Sequence, residues 1–144
     1  MTELTLQIAQ TIAAATLKTG REKSFKPLSV AVYDARGAIK ALLSEDGTSL
    51  KRAEIAMGKA YGALALGVGS RALNKMAVDR PFFIASATHA VGGLLVPVPG
   101  GALIKDRQGQ ILGAVGVSGD TSDNDEIAAT GGVEAAGLVS DTGA

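Results

Sequence analysis

Side chains able to do chemistry gather in one stretch, Gly109-Gln-Ile-Leu-Gly-Ala-Val-Gly-Val-Ser-Gly-Asp-Thr-Ser-Asp-Asn-Asp-Glu126, where an apolar strand runs into a glycine loop and then a helix start. Gly113, Gly116 and Gly119 let another backbone or a flat ligand approach closely. The loop amides and the first turn of the helix offer unpaired N–H donors. Ser118, Asp120 and Thr121 are the side chains there that can hold a hydroxyl-rich or carbonyl substrate, with Asp125 or Glu126 moving a proton. The bland reading of the same carboxylates is that they stabilise the positive end of a helix dipole. Their spacing is not that of a calcium loop: the glycine at the sixth position and the glutamate at the twelfth are missing.

Three further residues carry chemistry outside that stretch. Lys59 reads as a solvated lysine; a place in a pocket beneath Gly116 and Gly119 would make it an anion clamp or an acid. Arg80 precedes Pro81, whose fixed bend can aim the guanidinium at a carboxylate, although a surface arginine is the default. His89, in Ala87-Thr-His-Ala-Val-Gly-Gly93, is the one histidine of the chain. It reads either as a surface residue or as a metal ligand or proton carrier beside glycines, Gly92 and Gly93, that admit a planar group. There is no cysteine and no serine elbow, so no nucleophilic triad can be built, and Gly113-x-x-Gly116-x-x-Gly119 is neither a P-loop nor a dinucleotide fingerprint.

These residues must be positioned by a small fold. With 144 residues, one domain spanning 1–144 is expected. Fourteen basic and fourteen acidic residues cancel, leaving no basic stripe for a nucleic acid. No apolar run is long enough for a bilayer, and no leader pattern is seen in Met1 to Gln10, so a cytoplasmic protein with no membrane partner is expected. Hydrophobic residues make up 47% of the chain and aromatics only 3%, with 19 glycines, so the core must be aliphatic and closely packed. Alanine- and glycine-rich helices favour subunit contact, and a homo-oligomer is expected.

The pattern predicts a helix from a Thr5 cap to about Lys18, ended by Gly20. A strand Leu28–Tyr33 turns through Asp34-Ala-Arg-Gly37 into Ala38–Leu43. Helices follow at about 49–66 and 71–78, the second stopped by Pro81. Phe82 to His89 is ambiguous between helix and irregular chain. Leu94–Val98 reads as a strand, Ala102–Lys105 and Ile111–Val117 as a second hairpin, and Ser122 with Asp125 as the capping box of a last helix. The tail from Ser140 reads as loose. The sum is an α+β fold with a five-stranded antiparallel sheet flanked by helices.

Several segments carry a family likeness: Val32-Tyr-Asp-Ala-Arg-Gly37, Glu45-Asp-Gly47, Ile55-Ala-Met-Gly-Lys-Ala60, Gly92-Gly93, and above all Gly113-Ala-Val-Gly-Val-Ser-Gly119 with Asp125-Glu-Ile-Ala128. Together they resemble the haem-binding, GlcG-like family, which includes extracellular haem-sensing proteins and the C-terminal domain of PduO-type proteins. The resemblance implies a profilin-like α/β/α sandwich, homo-oligomers and, in some members, binding of haem or a related tetrapyrrole. It makes His89 the candidate axial ligand, with Gly92, Gly93, Gly116 and Gly119 walling the cofactor. The chain departs from the family pattern at Ser44-Glu-Asp-Gly-Thr48 and at Asp120. The added carboxylates Glu45 and Asp120 repel an anionic ligand unless a cation lies nearby.

Two functions follow from these residues. One is a small-ligand-binding protein that holds haem or a related tetrapyrrole and no other cofactor. The other is a cofactor-independent lyase, isomerase or deaminase of small-molecule catabolism, acting on a small organic acid. It would use Asp120, Asp125 or Glu126 as proton carrier and Lys59 or Arg80 as anion clamp, with Ser118, Asp120 and Thr121 holding the substrate beside Arg80. Both readings require the five glycines to converge on a single cavity.

Overall fold

The computed structural model describes residues 3–144; Met1 and Thr2, counted in the expected domain, lie outside the described residues. Its elements are α1 (Leu6–Glu22), β1 (Ser29–Asp34), β2 (Ile39–Ser44), α2 (Arg52–Leu66), α3 (Ser70–Asp79), α4 (Pro81–Ala90), β3 (Gly101–Lys105), β4 (Ile111–Ser118), α5 (Ser122–Ala135) and β5 (Val139–Asp141). The strands form one antiparallel sheet in the order β2-β1-β4-β3-β5. The expected α+β, profilin-like architecture is what folds.

Alternation along the strands divides the core in two. Val30, Val32, Ala102, Ile104, Val115 and Val117 face α1 and α5, where Ala9, Ile12, Ala128 and Val133 meet them. Ala31, Tyr33, Leu103 and Ala114 face α2 and its Ala56, Ala60 and Ala63. Covering both faces buries β1 along its whole length. Asp34 closes the first hairpin by accepting from the N–H groups of Arg36 (2.9 Å) and Ala38 (3.0 Å), and Asp106 repeats the device with Gln108 and Gln110.

Helix α2 lies unusually close to the sheet, and glycine is the reason. A Cβ on Gly116 would overlap the Ala56 carbonyl oxygen and stand 2.7 Å from the Ala60 nitrogen, and one on Gly101 would overlap the Lys59 carbonyl. Only hydrogen fits between these main chains. The contact sets the height of α2 and, with it, where Lys59 sits.

Several local expectations are corrected. Gly20 does not end α1; it lies inside the helix, where a Cβ would stand 2.6 Å from Leu28 Cδ1, and the helix closes only at Lys23. Phe82 to His89 resolves as helix α4, with Pro81 in its first turn rather than only ending α3. Leu94–Val98 is not a strand. It crosses α2 instead, with Val96 N–H donating to the Gly58 carbonyl and Leu95 seated against Gly62. The tail from Ser140, expected to be loose, is not: Ser140 and Asp141 join Val139 as the fifth strand, paired with β3, and Lys105 reaches Asp141 at 2.6 Å. The cap of α5 is Thr121, whose hydroxyl accepts from Asn124 N–H, and not Ser122. Asp125 points elsewhere.

Candidate functional site

Asp125 points inward to Lys59. The Lys59 ammonium donates to the Val117 carbonyl (2.9 Å) and to Asp125 Oδ2 (3.1 Å), with the two side chains 3% and 1% exposed. Asp125 Oδ1 accepts from Asp120 N–H at 2.9 Å. Burial pushes the Lys59 ammonium down from the ordinary lysine range, against the pull of Asp125. Burial likewise pushes the Asp125 carboxyl up, against Lys59 and the Asp120 N–H. The solvated lysine expected from the sequence is thus a buried one, enclosed by Gly100, whose absent Cβ leaves 2.8 Å to the ammonium. The pair pins α2 to the end of β4 and the start of α5.

Arg52, seven residues before Lys59 on the same face of α2, forms the next layer. Its Nε donates to Ser49 Oγ (3.2 Å) and its Nη1 to Ser118 Oγ (3.1 Å). Ser118 is buried and serves this contact. Asp120 is half-exposed and accepts from the N–H groups of Lys26 (2.7 Å) and Thr121 (2.7 Å) and from Asn124 Nδ2 (2.9 Å). These donors hold its carboxyl below the ordinary range. Glu45 accepts from Leu28 N–H at 2.8 Å and pairs with Arg21 at 2.9 Å. Both of the family-departing carboxylates are therefore compensated within the chain. Glu126 is clamped by Arg71 Nε at 3.0 Å, with Asp123 on the same guanidinium. Arg52 is not among the residues singled out from the sequence; its seven-residue interval to Lys59 puts both on one face of α2, which becomes informative only once Lys59 is known to be buried.

The glycines do not share a cavity, so the convergence that both readings required from the sequence does not occur, and a ligand site has to rest on other features. Gly113 and Gly116, three residues apart on a strand, face opposite sides of the sheet, toward Leu4 and toward α2. Gly119 is pressed on Pro27 and Leu28, and the recess it borders holds none of the other four. What they admitted was backbone. Gly92 and Gly93 differ, with φ of +82° and +93° and nothing within 4 Å of either Cβ position.

They follow α4, a helix with no acidic or basic residue apart from His89. It buries only Ile84 and Ala87 and leaves Phe82 88% and Phe83 39% exposed. Phe82, Ala85, Ser86 and His89 recur at helical spacing on one exposed face. Arg80 is exposed and lies over the Phe83 ring, 4.5 Å from its centroid, rather than against a carboxylate. Of the expected cofactor residues, His89, Gly92 and Gly93 come together; Gly116 and Gly119 stand apart from them. Among the described residues, no cluster of three or more histidine and carboxylate groups forms a metal site, and no helix is long and apolar enough to cross a membrane.

Comparison with known proteins agrees with this architecture. The solved structure of HbpS superposes with a TM-score of 0.79 at 27% identity, covering 93% of this chain and 90% of that one. A structure described as a complex of PduOC with haem gives 0.85 at 20% identity, covering 97% and 99%. Klebsiella pneumoniae protein ORFY gives 0.83 at 24% identity, covering 95% and 93%. No match was found among curated proteins. The family model described as "Haem degrading protein HbpS-like" matches residues 4–134, and the chain belongs to that HbpS-like family.

Proposed function

We propose that this protein binds haem, or a related tetrapyrrole, on the outer face of α4, with His89 as the axial ligand. The observation that carries this reading is the juxtaposition on α4. An exposed apolar face runs from Phe82 to the chain's one imidazole and ends at Gly92 and Gly93, where no side chain fills the space a flat macrocycle needs. The haem-degrading description of the family model and the haem complex of PduOC support the same ligand class. When bound, haem supplies iron chemistry; the protein's part is to ligate it through imidazole and to cover one face with apolar surface.

A ring lying on an exposed helix needs a second cover. A second copy of this chain supplies it in our reading, which also removes Phe82 from water. A cytoplasmic setting agrees with the absence of cysteine. The enzymatic alternative is weaker on this geometry: Lys59 and Asp125 neutralise each other in the interior, Thr121 caps α5, and Glu126 is held by Arg71.

Titration with haemin tests the proposal. A saturable Soret shift is expected in the wild type, reduced in Phe82→Ser and abolished in His89→Ala. A His89→Ala spectrum identical to the wild-type complex, or no shift from free haemin in the wild type, overturns it.

A further inference from the structure

We infer that the recess between the α1–β1 loop and the start of α2 is a binding site for a small oxyanion, a carboxylate or a phosphoryl group, read by Arg52. The recess is about 200 Å³ and is lined by Lys26, Pro27, Thr48, Ser49, Arg52 and Gly119. That is room for one such group and little more.

The guanidinium is the reason to expect an anion. Arg52 is half-buried, yet its partners are two neutral hydroxyls, Ser49 Oγ and Ser118 Oγ. Among the described residues no carboxylate lies within ion-pair distance of it, whereas Arg21, Arg36 and Arg71 each have one. Asp125 feels the Arg52 charge but is bonded to Lys59, and a partly desolvated cation with no ion pair of its own gains from an anion that completes it. No hydrogen bond is made by its Nη2 among the described residues, and the Lys26 ammonium on the same wall, which acts on Asp120 only through space, makes none either, so donors remain for a second, charge-assisted set of bonds.

The surrounding charges allow it. Asp120, next in sequence to the lining Gly119, is turned to Lys26 N–H, Thr121 N–H and Asn124, and Glu45 is turned to Leu28 N–H and Arg21. Asp125 is consumed by Lys59. With Lys59 set against Asp125 and Arg21 against Glu45, Arg52 and Lys26 face the single remaining charge of Asp120, and the rim keeps a net positive charge.

The test is titration of the protein with sodium phosphate, acetate and chloride, followed by the NMR signal of the Arg52 Nε–H and by thermal melting. Saturable phosphate or acetate binding below about 10 mM is expected, weakened about tenfold or more in Arg52→Gln and partly retained in Arg52→Lys. Stronger phosphate than acetate binding points to phosphate-bearing ligands, and the reverse to carboxylates. His89→Ala should bind the anion unchanged, which separates this site from haem binding on α4. Should Arg52→Gln fail to fold, Lys26→Ala and Ser49→Ala at the exposed rim must weaken binding in its place. A chloride-like response to all three salts, or equal binding by the variants, overturns the inference.

Discussion

Breaking the Lys59–Asp125 pair from one side should be far more damaging than removing both charges. At 3.1 Å and an effective dielectric of ~20, the attraction is about 5 kcal/mol. Against it stands the loss of hydration of two nearly inaccessible ions, several kcal/mol each. The shifts give the sign. Asp125 is raised, so its favourable contribution is full below the ordinary carboxylate range and is lost as pH rises through the raised value. Lys59 is lowered, so its contribution is full above the ordinary lysine range and is lost as pH falls through the lowered value. At neutral pH both charged forms are thus less favourable than in the unfolded chain, and desolvation outweighs attraction.

Lys59→Met, or Asp125→Asn with its Asp120 contact retained through Oδ1, leaves one buried charge unpaired and should cost about 3–5 kcal/mol. The double variant should cost less than the sum of the two by about 2–3 kcal/mol. Urea unfolding at pH 7 on the four proteins of this cycle measures the coupling. Single variants each within about 1 kcal/mol of wild type, or strictly additive ones, would refute the reasoning, since neither outcome fits ions buried against one another.

Three smaller perturbations follow from the same geometry. Gly116→Ala should lower stability by about 1–3 kcal/mol in thermal melts, because its methyl group meets the main chain of Ala56 and Ala60 rather than a movable side chain. Thr121→Ala removes the hydroxyl that caps α5 and should cost about 1 kcal/mol, read by urea unfolding. Asp120→Asn should flatten the acid limb of stability against pH. The folded-state carboxyl is held low by the N–H of Lys26, then by Thr121 and Asn124, so its contribution is full above the ordinary carboxylate range and is lost as pH falls through the depressed value.

Short-range signals in the sequence translated well into structure. Asp34 and Gly37 at hairpin spacing and the Thr5 cap are local devices, and each formed as its chemistry required. Signals that depend on partners distant in sequence misled. Gly20 reads as a helix stop, but it stands inside α1 with Leu28 seated against the space its missing side chain leaves. Leu94–Val98 has strand composition, yet it meets the Gly58 and Gly62 notches of α2 before it meets any strand edge.

The site follows the same division. His89 beside Gly92 and Gly93 was legible because the three are neighbours in the chain. The burial of Lys59 was not, because it depends on α2 settling onto Gly101 and Gly116 from elsewhere in the sequence. A glycine that admits a backbone and one that admits a ligand look alike until the backbone is placed.

With a single histidine in the chain, labelling every histidine with ¹⁵N labels His89 alone. Electron–nuclear double resonance on the ferric haem complex of such protein then asks directly whether that imidazole is bound to the iron. The account predicts a directly coordinated ¹⁵N coupling, absent from His89→Ala. A haem complex of full occupancy that shows no histidine nitrogen on the iron would contradict it.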